Sequence, residues 1–266
     1  MASTTTLQIA LAGLAFIAVL ALLTWIASLV QRDVSLVDRV WSVCIAGAGI
    51  VYCLLLPQAN ARGAWMVALG AVWAVRLCVY VSWRNWDHGE DRRYQQIRAR
   101  NQPGFPAKSL YLIFGLQAVL AWLVSAPFLV GISGARPLGW LDGVGGALAA
   151  FGIVFEALGD AQMARFKADP ASKGKVMDQG LWRFTRHPNY FGETCVWWGL
   201  WLMAMGGAGW VGAWSIVSPV VMTVLLLKVS GVSLLEQDIG ERRPAYRDYI
   251  VRTNAFFPGP PRRSAS

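Results

Sequence analysis

Charged residues are scarce in this sequence. They make up 15% of its 266 residues, whereas an ordinary water-soluble domain carries about 25%. So few charges cannot cover a large water-facing surface, and the hydrophobic content of 56% excludes an intrinsically disordered chain. The composition therefore indicates that a lipid bilayer surrounds much of the protein.

Cysteine and histidine are also few, with four cysteines and two histidines in the chain. No two cysteines have C-x-x-C spacing, and all four lie in apolar segments, so we predict neither a disulfide framework nor a metal site. The sequence also lacks a P-loop and a G-x-G-x-x-G turn after a strand. Any bound nucleotide would have to be held by a helical scaffold.

Long apolar runs are abundant. A helix needs about 20 apolar residues to cross a bilayer, and the first run is too long and has too few basic residues before it for a signal peptide. We therefore predict one all-α integral membrane domain over residues 1–266. Its seven transmembrane helices are expected near residues 7–30, 36–56, 62–82, 109–131, 138–162, 190–209 and 211–235.

The positive charge is distributed unevenly. Most of the 24 Lys and Arg residues fall in segments 84–108, 165–186 and 242–263, which the seven-helix prediction places on one side of the membrane. Since such residues accumulate in cytoplasmic loops, we predict an external N-terminus and a cytoplasmic C-terminus. Loops 83–108 and 163–190 and the tail 236–266 would then form the mouth of a cofactor site. The charges follow no recognition-helix pattern, so we predict no nucleic-acid partner.

Several ionisable residues lie inside the predicted helices or directly at their ends, all toward the cytoplasmic side. Such groups usually face a helix-bundle interior or a wet cavity. One interpretation is an ion-paired core, with Asp38 and Arg76 as a possible pair. The other is a pocket that binds an anionic cofactor at its cytoplasmic mouth and an apolar ligand deeper in the membrane. The residues concerned are Asp38, Arg39, Arg76, Glu156, Asp160, Glu193 and Glu236.

The most specific motif is RHPNYFGE at residues 186–193. Pro188 suits the first turn of a helix, so the preceding loop should deliver its side chains to a helix N-terminus. Helix N-termini favour anions, and the cations Arg183, Arg186 and His187 would strengthen that preference. The motif therefore predicts a phosphate site.

Together with EDRRY at 90–94, SLVDRVW at 35–41 and Tyr246-x-x-Tyr249 before Phe257-Pro258, this motif resembles the steroid 5-alpha-reductase-like family, in particular its bacterial branch. The resemblance implies a protein of the bacterial inner membrane that binds NADPH from the cytoplasm. It also implies hydride transfer to the C4–C5 double bond of a 3-oxo-Δ4 steroid, or of a similar apolar enone that enters from the membrane.

Other functions remain open at this stage. The pattern RHPxYxG is shared with sterol reductases and with isoprenylcysteine carboxyl methyltransferases, which use S-adenosylmethionine. A lipid or prenyl-protein methyltransferase on the same scaffold is therefore the first alternative. A seven-span transporter or receptor is the second, although its polar residues would be expected to follow a path across the bilayer.

The resemblance also suggests roles for residues. Asp38 stands where animal reductases have a catalytic glutamate and would donate a proton, and Glu193 would contact the nicotinamide or the substrate. Trp73 occupies the position of their tyrosine, and the substrate-binding residues would be Trp41, Trp73 and Tyr80. The expected cofactor contacts are polar or aromatic residues of the cytoplasmic mouth: Arg76, Arg84, Asp91, Tyr94, Asp160, Arg165, Lys167, Arg183, Arg186, His187, Asn189, Tyr190, Glu193, Tyr246 and Tyr249.

Overall fold

A computed structural model describes residues 5–56, 60–229, 232, 236 and 244–262. These residues form helices and connecting turns, with no strand among them. The α-helices are α1 (Thr6–Gln31), α2 (Leu36–Leu55), α3 (Ala61–Arg84), α4 (Arg92–Arg100), α5 (Phe105–Ser109), α6 (Leu116–Val124), α7 (Ala126–Ser133), α8 (Trp140–Ala168), α9 (Pro188–Ala208), α10 (Val217–Val224) and α11 (Ala245–Arg252).

Tighter and wider helical turns join some of these elements. A π-helical segment, Leu110–Gly115, links α5 to α6, and another, Leu225–Val229, follows α10. Three short 3-10 segments complete the described helices: Pro170–Ser172, Gly180–Arg183 and Gly209–Ile216.

Six helical segments are long and apolar enough to cross a membrane. They confirm an all-helical membrane protein, whereas the number seven and the orientation of the termini stay predictions. The six segments are Thr6–Gln31, Leu36–Leu55, Ala61–Arg84, Phe105–Ser133, Trp140–Ala168 and Pro188–Lys228.

The last of these segments has 41 residues, about twice the length that one crossing needs. It contains α9 and α10, separated by the 3-10 turn that begins at Gly209, whose φ is +63°. Nε1 of Trp198 donates a hydrogen bond of 3.3 Å to Oγ1 of Thr223. These residues would lie about 37 Å apart in a straight helix. The chain therefore reverses between α9 and α10, where the sequence predicts the boundary between two spans.

The chain forms two compact units. The first comprises residues 1–146 and 200–218, and the second comprises residues 147–199 and 219–266. The unit boundaries fall within α8, α9 and α10, so these helices contribute to both.

In the first unit, the Phe128 ring fills a space left by two glycines. A Cβ atom at Gly70 of α3 would lie 2.5 Å from the Phe128 Cζ, and one at Gly49 of α2 would lie 2.9 Å from its Cγ. Any larger residue at these positions would collide with the ring. Small residues thus allow α2, α3 and α7 to pack closely, as is common between membrane helices.

A buried ion pair fixes one end of α3 in the same unit. Nε and Nη2 of Arg62 donate to the two carboxylate oxygens of Asp142, at 2.6 and 2.9 Å. Nη1 and Nη2 also donate to the carbonyl oxygens of Arg136 and Pro137, each at 2.9 Å. Arg62 and Asp142 are 2% and 1% exposed, so this pair joins α3 to the start of α8 away from solvent.

In the second unit, α8 and α9 cross with their backbones nearly in contact. A Cβ atom at Gly192 would lie 2.7 Å from the amide nitrogen of Glu156 and 2.7 Å from the carbonyl oxygen of Gly152. Neither backbone atom can move aside easily. The glycines therefore set the helix separation and hold Glu156 beside the first turns of α9.

Candidate functional site

The EDRRY segment folds into the start of α4. Asp91 caps this helix, because its Oδ1 accepts a hydrogen bond of 2.9 Å from the backbone N–H of Arg93. Glu90 accepts two hydrogen bonds from Arg98, at 2.8 and 2.7 Å, and one of 3.0 Å from the backbone N–H of Val34. The segment thus ties α4 to the turn that precedes α2.

This anchoring brings Asp38 together with two residues of α4. Nη2 of Arg93 donates to Oδ2 of Asp38 at 3.0 Å, and the hydroxyl of Tyr94 donates to Oδ1 at 2.6 Å. Nε of Arg93 also donates to Asp91 at 2.9 Å. The sequence singled out Arg76 as a possible partner of Asp38, whereas the structure pairs Asp38 with Arg93.

Electrostatics favour a protonated Tyr94. This side chain is 7% exposed. Burial raises its pKa well above the ordinary value, and so do the negative charge of Asp38 and the hydrogen bond between them. Tyr94 therefore keeps its proton at neutral pH. Burial would raise the pKa of Asp91 as well, but the hydrogen bonds and charge of Arg93 lower it, so Asp91 is ionised.

The other predicted residues of the first unit lie on α2 and α3. The guanidinium groups of Arg76 and Arg84 lie 6.0 and 5.8 Å from the ring centre of Tyr80, which places the three side chains on one face of α3. Trp41 donates a hydrogen bond of 3.2 Å to the carbonyl oxygen of Gln117. Trp73 is completely buried and is a core residue.

In the second unit, Pro188 begins α9, as the motif predicts, and Arg186 lies just before it. Nε and Nη2 of Arg186 donate to the carboxylate oxygens of Glu236, each at 2.7 Å. Nη1 donates to the carbonyl oxygens of Ile250, at 3.1 Å, and Thr253. Arg186 therefore joins the RHP loop to the C-terminal segment, and its hydrogen-bonding groups are engaged.

Glu236 is strongly ionised in this arrangement. Burial would raise its pKa, but hydrogen bonds from Arg186 and His187, together with their charges, lower it to about 2. Nε2 of His187 lies 2.9 Å from Oε1 of Glu236, and the His187 ring stacks on Tyr190 with a centroid distance of 5.3 Å. One carboxylate thus holds both Arg186 and His187, two residues of the predicted phosphate site.

Buried polar residues surround the crossing of α8 and α9. Glu156, Asp160 and Glu193 are 2%, 4% and 6% exposed. The Oδ1 atom of Asn189 is buried and has no hydrogen-bond partner among the described residues, and the same holds for Oγ1 of Thr194. Because buried polar atoms normally have partners, these two are candidates to contact a ligand.

The remaining predicted cofactor contacts differ in exposure. Arg165 and Lys167 at the end of α8 are exposed, and so is Arg183 in the 3-10 turn. Tyr249 is 1% exposed, and its hydroxyl donates to the carbonyl oxygen of Trp182. The ring of Tyr246 packs edge-on against that of Tyr249 at 5.2 Å.

Sequence reasoning missed Arg93, which holds Asp38, and the role of Glu236 as the partner of Arg186. Arg93 lies in the EDRRY motif, so the sequence singled out this segment but gave Arg93 no role. Among the described residues, no group of three or more His, Cys, Asp or Glu side chains could hold a metal ion.

The chain is similar in sequence to known proteins. The family model described as "Protein of unknown function (DUF1295)" matches residues 24–253. "Uncharacterized protein C594.04c" of Schizosaccharomyces pombe is 25% identical to this chain over 272 residues, covering 92% of this chain and 78% of that protein. No solved structure matches significantly. The chain therefore belongs to the DUF1295 family, which includes steroid 5-alpha-reductase-like membrane proteins.

Proposed function

We propose that this protein is a membrane oxidoreductase that uses NADPH to reduce the C4–C5 double bond of a 3-oxo-Δ4 steroid or a similar apolar enone. The active site would face the cytoplasm of a bacterial inner membrane. Family membership supports the class of enzyme. The observation that carries the proposal is the hydroxyl of Tyr94, held beside the ion pair of Asp38 and Arg93.

This hydroxyl meets a chemical need of the reaction. Hydride attack on the β carbon of an enone builds negative charge on the carbonyl oxygen, so a hydrogen-bond donor placed there stabilises the transition state. Tyr94 keeps its proton at neutral pH, because burial first and the charge of Asp38 second raise its pKa. Its hydroxyl can turn from Asp38 to a substrate carbonyl by rotation about one C–O bond.

The neighbouring charges make that rotation feasible. When the hydroxyl turns away, Asp38 keeps its ion pair with Arg93 at 3.0 Å, so the carboxylate is not left without a partner. If Tyr94 passes its proton to the enolate, the guanidinium of Arg93, 5.6 Å from the ring centre, stabilises the tyrosinate. In this scheme Tyr94 is the donor, and Asp38 and Arg93 position it.

The residues of the second unit suit NADPH in part. NADPH supplies the hydride when bound. The unpartnered Oδ1 of Asn189 can accept a hydrogen bond from the nicotinamide amide, beside buried Glu193. Arg186 and His187 are held by Glu236, so we assign them to shaping the loop. The guanidinium of Arg183 has no hydrogen bond or ion pair to a described residue, so it can contact a phosphate.

A turnover assay with matched tyrosine variants tests the proposal. Purified protein in detergent is incubated with NADPH and progesterone or testosterone, and the saturated product is measured by mass spectrometry. Tyr94→Phe should lower kcat about 100- to 1000-fold, the usual effect of removing one such donor. Tyr111→Phe is the control, because Tyr111 is 62% exposed and lies outside the site.

Further variants separate positioning from cofactor binding. Asp38→Ala should lose turnover yet keep its affinity for NADPH, whereas Asn189→Ala should weaken NADPH binding. Melting temperatures establish that each variant is folded. Normal turnover by Tyr94→Phe or Asp38→Ala would contradict the assigned roles. Methyl transfer from S-adenosylmethionine without NADPH oxidation would favour the methyltransferase alternative instead.

A further inference from the structure

An open cleft of about 660 Å³ lies within the second unit, between the 3-10 turn Gly180–Arg183 and the segment that follows α11. Three arginines line it, Arg183, Arg252 and Arg262, with one carboxylate, Asp178. Its volume is within the range of small-molecule sites. Arg252 and Arg262 belong to no motif that the sequence analysis used.

The positive charge of the cleft is largely uncompensated. Nη2 of Arg252 lies 3.3 Å from Oδ2 of Asp178, but these side chains are 40% and 37% exposed, and such solvated pairs are weak. Arg262 has one long contact, 3.5 Å, to Oδ1 of Asn254. The Arg183 guanidinium makes no hydrogen bond or ion pair with a described residue. Three guanidinium groups therefore face one carboxylate.

The walls of the cleft are fixed before any ligand arrives. The backbone N–H of Leu181 donates to Oε1 of Gln162 at 2.9 Å, and the N–H of Arg262 donates to the carbonyl oxygen of Arg252 at 2.8 Å. Arg186 joins the two walls, since its backbone N–H donates to Asn254 at 2.9 Å and its side chain to Thr253. The arginines thus project from an anchored backbone.

We propose that this cleft binds a phosphate group of an anionic ligand. Arginine recognises phosphate better than a simple charge does, because its planar N–H groups match the phosphate oxygens. A phosphate carries enough negative charge to draw Arg252 away from the weak pair with Asp178. The ligand can be a soluble nucleotide or a phosphomonoester lipid, which offer the same chemistry.

Titration with inorganic pyrophosphate tests the site directly. The detergent-solubilised full chain is titrated by calorimetry, and Arg183→Gln and Arg252→Gln should each weaken binding about tenfold, the effect of losing one hydrogen bond to a charged group. Lys175→Gln removes an exposed positive charge outside the cleft and should change binding less than twofold. Equal losses in all three variants, or no binding by the native protein, would overturn the proposal.

Two further binding measurements identify the molecule that carries the phosphate. If Arg183→Gln binds NADPH more weakly but binds vesicles of phosphatidic acid as the native protein does, the ligand is a nucleotide. If it binds the vesicles more weakly but NADPH equally well, the ligand is a lipid. If neither changes while pyrophosphate binding falls, the cleft binds an adventitious ion only and the proposal is wrong. The nucleotide outcome rests on the proposed function, which already gives Arg183 a phosphate of NADPH to contact. None of the binding measurements depends on turnover by Tyr94, so failure of the cleft and failure of the reductase proposal remain distinguishable.

Discussion

Replacing Arg62 by methionine should destabilise the protein strongly. The substitution leaves the carboxylate of Asp142, which is 1% exposed, without the two hydrogen bonds of 2.6 and 2.9 Å from the guanidinium. The carboxylate keeps a hydrogen bond of 2.8 Å from the backbone N–H of Gly139. Removing one partner of a buried ion pair costs about 3–5 kcal/mol. For a chain of this size that loss corresponds to about 6–20 °C in melting temperature.

A double-mutant cycle identifies the cause of the loss. Arg62→Met with Asp142→Leu removes both charges and fills similar volumes, so the double variant should be markedly more stable than Arg62→Met alone. Arg100→Gln is the control, since Arg100 is exposed on α4 and should shift the melting temperature little. Unfolding is followed by circular dichroism in mixed micelles. A double variant as unstable as Arg62→Met would refute the reasoning.

Two further predictions concern the second unit. The pKa of Glu236 falls from the ordinary 4.5 to about 2, so its contribution to stability is present above pH 4.5 and is lost as the pH falls toward 2. Glu236→Gln should therefore flatten the dependence of melting temperature on pH in that interval, and an unchanged slope would contradict the ion pair with Arg186. Gly192→Ala should lower stability by about 1–3 kcal/mol because its Cβ meets backbone atoms of α8. Gly143→Ala, with open space around it, should be neutral in the same thermal assay.

Local signals in the sequence were informative where the relevant residues are neighbours along the chain. Pro188 predicted the start of α9, since proline fits the first helical turn. The reversal at Gly209 lies at the predicted boundary between two spans. Within the rest of the predicted seventh helix, residues 230, 231 and 233–235 lie outside the described residues.

Partners that are distant in sequence could not be predicted in the same way. Arg186 and Glu236 are 50 residues apart, and nothing in their local patterns links them. Asp38 and Tyr94 are 56 residues apart, and the sequence offered Arg76 only as one possible partner of Asp38. Helix α4 has few apolar residues and was not predicted from the sequence as a helix, although the capping residue Asp91 was a usable start signal.

The contacts that Arg186 makes with the C-terminal segment can form only late in synthesis of the chain. During translation at about 5–20 residues per second, Glu236 emerges 50 residues after Arg186, a delay of about 3–10 s. Throughout that interval the guanidinium has neither its carboxylate nor the carbonyl oxygens of Ile250 and Thr253. The RHP loop of the nascent chain therefore acquires these contacts only after this later segment has been synthesised.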